Sequence, residues 1–238
     1  MKIHREFAQR SVEWMLAHVG IPTASEWGNL LTPEWKIRKG GMPDTYLCKK
    51  VAEKWLDGPL PGFGTFVTEQ GNILEDEAIP WYEFEFGERI DRVGFCVSDD
   101  GLTGCSPDGL FGATENSAEG GIEIKCPAAY THVGYLLDGV VPDEYLAQVH
   151  GCMFVTGAKW WKFLSYRRNF PALILTVERD EEIQEKIAEA LAIFLARFQA
   201  ANERLEEINC GPSENKHPAF TPGPIRFSWE NDAIGVTP

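Results

Sequence analysis

The chain has 238 residues, 44% of them hydrophobic, with eight Trp and fourteen Phe, which is enough apolar mass for one substantial core and excludes a disordered or fibrous protein. A formal charge of −14 excludes a surface that attracts nucleic acid everywhere; any such binding is confined to a local basic groove or channel and weakens steeply with salt. No segment approaches the roughly 18 uninterrupted apolar residues of a membrane span, and the first residues lack the basic, apolar and small-residue succession of an export signal.

In chain order, helical periodicity is expected at 6–17, 25–31 and 43–56, where Pro43 suits a first turn and Gly58 an end. Another helix runs from Asn72 toward Phe86, with a kink or new turn at Pro80. Strand signals at 89–97, 104–111 and 121–126 read as a three-strand meander. A helical zone at 142–155 precedes strands at 159–166 and 173–178. From Asp180 to Ile208, Ile183, Ile187, Leu191, Phe194 and Phe198 recur at three- and four-residue spacing, an amphipathic helix closed by Gly211-Pro212. Residues 1–211 are thus expected to form a single domain and 212–238, rich in Pro, Gly and polar groups, an extended or disordered tail. The order of elements gives an α/β fold, a central mixed sheet flanked by helices.

The six cysteines, at 48, 96, 105, 126, 152 and 210, form no Cys-x-x-Cys pair. That disfavours zinc and iron–sulfur sites and suits reduced, buried thiols in a cytoplasm. Basic residues that could line a nucleic-acid groove fall in three stretches: Lys36, Arg38 and Lys39; Lys49, Lys50 and Lys54; and Lys159 and Lys162 with Arg167 and Arg168. Within the last, Trp160 and Trp161 fit a sheet core better than a base-stacking platform.

The chemistry concentrates in Gly104-Cys105-Ser106-Pro107-Asp108-Gly109-Leu110 and Gly121-Ile122-Glu123-Ile124-Lys125-Cys126-Pro127. Side chains alternate along a strand, so Glu123 and Lys125 share one face while Ile122 and Ile124 take the apolar one, and Asp108 joins them from a Pro-Asp turn. Either half alone is an ordinary turn or edge strand. Together they offer two hard carboxylates and, with the carbonyl of Ile124, a set of oxygen donors suited to Mg²⁺ or Mn²⁺, beside a lysine that can hold a water or stabilise phosphate charge. That combination points to cleavage of a DNA or RNA backbone.

These segments, followed by Tyr145-Leu146-Ala147-Gln148-Val149, resemble in order the motifs of the phage lambda exonuclease or YqaJ family of viral recombination nucleases, which have the PD-(D/E)XK restriction-endonuclease-like core. Upstream, Trp14 with Gly20-Ile21-Pro22-Thr23-Ala24-Ser25 and Gly71-Asn72-Ile73-Leu74-Glu75-Asp76-Glu77-Ala78 are similar to two further family blocks, so that the likeness spans about 10–180 and places a catalytic core at about 70–180. The resemblance implies Asp108, Glu123 and Glu75 as ligands of two Mg²⁺ ions, with Ile124 contributing its carbonyl, Lys125 as the catalytic lysine and Gln148 as a supporting polar group. Plain alternatives are a solvated helix charge for Glu75 and a helix-surface residue for Gln148. The resemblance further implies digestion of one strand of linear duplex DNA from its 5′ end, leaving 3′ single strands. It also implies a single-strand annealing protein as partner, a ring-shaped trimer, and a viral or prophage protein working in a host cytoplasm.

The family's 5′-phosphate pocket joins two serines, matched by Ser25 and Ser106, to an arginine whose position here holds His18. An arginine fork grips phosphate at any working pH, whereas a histidine is mostly neutral above its ordinary pKa of about 6.5. Either a phosphate raises the pKa of His18 or Arg10 takes its place; Ser25 and Ser106 also suit a helix cap and a turn. Without such a pocket the same core would serve a structure-selective or single-strand endonuclease, or a module that binds ends without cutting them.

Overall fold

The computed structural model describes residues 1–61 and 69–209. A short strand β1 (Lys2–His4) leads to helix α1 (Val12–Ala17), a 3-10 helix (Ala24–Asn29), α2 (Gly41–Leu56) and α3 (Glu69–Phe86). Strands β2 (Phe95–Val97), β3 (Gly104–Cys105), β4 (Gly109–Phe111) and β5 (Gly120–Lys125) follow, then α4 (Ala129–Asp138) and α5 (Asp143–Thr156). The described chain ends with β6 (Trp160–Ser165), β7 (Leu173–Glu178) and α6 (Glu181–Asn209). The proposed tail at 212–238 and the expected stop at Gly211-Pro212 lie outside the described residues.

The strands form two sheets, an antiparallel β1-β2-β3 and a mixed β4-β5-β6-β7 in which β5 and β6 run parallel. The expected meander is therefore divided: β2 and β3 belong to one sheet, β4 and β5 to the other. The expected strand over 104–111 breaks at Ser106-Pro107-Asp108, where proline has no N–H to give a ladder. The first expected helix shortens to α1, whose start is set by Ser11, its hydroxyl accepting from the Trp14 N–H. Helix α3 continues through Pro80.

Alternation within β5 and β6 sorts the two cores. Ile122, Ile124 and Leu164 pack with Leu74, Ala78, Ile79 and Tyr82 of α3 on one face. The opposite face carries the larger core, where Trp161 meets Val149, Cys152 and Met153 of α5 and Ile187 and Phe194 of α6. Trp161 is fully buried, which places it in the core as its strand propensity suggested. Helix α5 packs on β2 and β3 of the first sheet as well as on β5 and β6 of the second. Two glycines make these approaches feasible: a Cβ on Gly121 would stand 2.2 Å from the Trp161 ring, and one on Gly109 would stand 2.0 Å from Ile90 Cγ2.

Candidate active site

Strand β5 sends Ile122 and Ile124 toward α3 and leaves Glu123 and Lys125 on the face covered by α5. There the Lys125 ammonium donates to Glu123 Oε1 at 2.6 Å and to Gln148 Oε1 at 3.3 Å, while Gln148 Nε2 donates to the same Glu123 oxygen at 2.7 Å. Gln148 is reached from α5, so a side chain expected either to support the site or merely to cover a helix surface closes a three-membered polar ring. Asp108 joins through the backbone: the N–H of Ile124 donates to its Oδ2 at 2.5 Å, fixing the acid turn against the strand. Lys125 Nζ also lies 4.8 Å from the centre of the Tyr145 ring, which stacks on Phe163.

The charges are strained. Burial first, then repulsion from Glu123 and Glu75, push the Asp108 carboxyl well above its ordinary range. Burial alone would lower Lys125, but the carboxylates of Glu123 and Asp108 outweigh it and hold the ammonium protonated. Glu75 is likewise raised, by burial against the opposing pull of Arg10, whose guanidinium donates to Glu75 Oε2 at 2.5 Å. Arg10 itself is placed by a backbone in the left-handed region, φ 67°, and by its neighbour Gln9. The Gln9 amide donates to the carbonyls of Val93 and Pro107 at 3.1 and 2.8 Å, pinning the N-terminal segment to the turn that carries Asp108.

These donors fit a hard divalent cation. Glu123 Oε2 is buried without a hydrogen-bond partner, and two carboxylates of like charge face one another, which a cation between them would relieve. Among the described residues no group of three His, Cys, Asp or Glu side chains stands ready to hold an ion. The fit is therefore to the Asp108–Glu123 pair supplemented by a backbone carbonyl, with Glu75 engaged by Arg10.

The second group of expected residues gathers separately. His18 is buried, and burial lowers its pKa to about 4. Its Nδ1 lies 2.7 Å from the Trp14 carbonyl, which only accepts, so Nδ1 carries the proton and Nε2, 3.0 Å from Ser106 Oγ, accepts from that hydroxyl. The Trp14 indole donates to the same Ser106 oxygen at 2.9 Å. Ser25 is exposed; its hydroxyl lies 3.4 Å from Thr23 Oγ1, and Thr23 bridges Gly104 at the base of the Ser106 turn.

Several basic side chains are committed elsewhere. Lys50 is buried between Glu26 and Glu53 at 3.0 and 3.1 Å, Arg38 caps the carbonyls of Gly28 and Leu31, and Lys162 pairs with Glu88. Of the cysteines, 96, 105 and 152 are buried, but Cys48 is exposed.

A model of the YqaJ-like viral recombinase domain matches residues 13–159. Among solved structures, the alkaline exonuclease LHK-Exo from Laribacter hongkongensis is 29% identical, with a TM-score of 0.73 over 84% of this chain and 98% of that one. The figures are the same for its complex with dAMP. A phage-related exonuclease from Haemophilus somnus 129PT, 13% identical over 79% of this chain and 96% of its own, shares the fold at a TM-score of 0.58. No curated protein matches the sequence.

Proposed function

The chain belongs to the family of YqaJ-like viral recombinase domains, and from that premise we propose that it is a metal-dependent DNA exonuclease. It would digest one strand of linear duplex DNA from the 5′ end and leave 3′ single strands for an annealing partner in phage-type recombination within a host cytoplasm. The observation that carries the reading is the ring of Glu123, Lys125 and Gln148 with Asp108 locked beside it, in a chain similar to an alkaline exonuclease. Among the described residues no helix is long and apolar enough to cross a membrane.

In this mechanism Asp108, Glu123 and the Ile124 carbonyl would hold Mg²⁺, and the ion would supply Lewis-acid stabilisation of negative charge on the phosphate. Gln148 fixes one oxygen of Glu123 and one edge of Lys125, leaving Glu123 Oε2 available as a ligand. The Lys125 ammonium spends two of its three donors on this ring, and the third is left for a water or a phosphate oxygen. Participation of Glu75 with a second ion would require its pair with Arg10 to open.

Selectivity for a 5′-phosphate is assigned to the corner of Ser25 and Ser106, where His18, buried and neutral with both ring nitrogens engaged, orients the Ser106 hydroxyl and does not grip the phosphate as an arginine would. The test is digestion of linear duplexes bearing 5′-phosphate or 5′-hydroxyl ends beside a closed circle, in Mg²⁺. Faster loss of the phosphorylated strand with the circle intact is expected; cutting of the circle would make the protein an endonuclease, and no cutting would make it a binding module.

A further inference from the structure

Beside Asp108 and Glu75 opens a cavity of about 530 Å³ whose wall includes Arg5, Phe7, Arg10 and Arg92. Three arginines on one concave wall are notable in a chain with 22 basic against 36 acidic residues. Each is paired: Arg10 with Glu75, Arg5 with Asp91 at 2.8 Å and Arg92 with Asp76 at 3.0 Å. The two outer pairs stand in water, Arg5 and Arg92 keeping 38% and 58% of their side-chain surface, and exposed pairs of this kind contribute only about 0–1 kcal/mol. A phosphodiester can displace such a carboxylate, because a guanidinium fork binds phosphate oxygens in pairs. Arg5 is further held by donating to the Thr114 carbonyl at 3.1 Å, so its fork is oriented before any ligand arrives. Glu6 and Asp76 also stand on this wall, so the groove would accept phosphates at the arginines and not along its whole length.

The geometry points to this cavity as the track of the strand being cut, with Arg5 and Arg92 each gripping a backbone phosphate of DNA next to the acidic centre and Phe7 offering an apolar wall to a sugar or base. The inference rests on the nuclease reading and adds to it the surface that feeds the site. Arg10, placed by the Gln9 clamp against Glu75, stands at the inner end of the track.

The test measures binding of a short fluorescent duplex to the full chain, in Ca²⁺ with the DNA verified intact, across a series of salt concentrations. Arg5→Gln and Arg92→Gln should each reduce the slope of log K against log[salt] by about 0.7–0.9, and together by about twice that. Restoring charge with Arg5→Lys and Arg92→Lys should recover most of the slope. Lys186→Gln, an exposed position on α6, should leave it unchanged. An unchanged slope in the double Gln variant, or an equal loss in Lys186→Gln, would overturn the track while leaving a wild-type protein that binds and cuts DNA. A wild-type protein that neither binds nor cuts would overturn the nuclease reading and the track together.

Discussion

At Asp108 the demands of stability and of the proposed chemistry conflict. Its carboxyl is raised by burial and by Glu123 and Glu75, so the folded protein holds a proton there more tightly than the unfolded chain. Stability from this group is present at low pH and lost as pH rises through the folded value. Asp108→Asn should therefore raise the metal-free melting temperature at neutral pH, a gain of about 1 kcal/mol or more, while removing the stabilisation by Mg²⁺ and cutting hydrolysis by about 10³-fold. Thermal scans with and without Mg²⁺, beside a nuclease assay, check this. Tyr145 makes a second case: its ring faces the Lys125 ammonium, a contact worth about 1 kcal/mol. Tyr145→Ala should lower kcat by about 5- to 10-fold with KM little changed, and Tyr145→Phe should retain most of the activity. The alternation of Glu123 and Lys125 was legible in the sequence because a strand's period of two is local. The Arg10–Glu75 pair was not, since its partners are 65 residues apart in sequence and Arg10 reaches Glu75 through a left-handed backbone that nothing in the residue type announces.

At the scale of elements, the long periodic segments α2 and α6 and the strands β6 and β7 fall close to where pattern alone puts them. The shortest pieces do not. Strand β1 has three residues and exists through pairing with β2, with Ile3 opposite Cys96. Helix α4 escapes notice because Tyr130 and Leu137 are exposed, which blurs the apolar stripe, and its anchor is a polar one: His132, buried between the Ser165 hydroxyl and the Pro171 carbonyl. The meander divides at Ser106-Pro107-Asp108, where the proline has no N–H to continue the ladder. The glycine that lets Trp161 lie against β5 is testable at this scale. Gly121→Ala forces the indole or the strand to move and should cost about 2–3 kcal/mol, read from denaturant midpoints with an unchanged m-value.

For the whole molecule, acid is a predictable weakness. Burial brings His18 and His150 each to about pKa 4. Unfolded histidines titrate near 6.5, so between about pH 6.5 and 4 the unfolded chain takes up protons that the folded one refuses. Stability is full above that window and falls as pH drops through it, by up to about 3 kcal/mol per histidine. Melting temperatures measured across the window should fall, and His150→Gln should flatten the fall. A different kind of sensitivity follows from the path of the chain between β3 and β4. Asp108 belongs to neither sheet, hanging in the passage from one to the other, while Glu123 is fixed inside the second. Their separation is thus a gauge of how the two sheets are seated, and the spacer that seats them is α5, which touches both. Thinning that spacer with Met153→Ala, a fully buried position, should loosen the grip on Mg²⁺ more than the grip on DNA, a difference calorimetric titration would read directly.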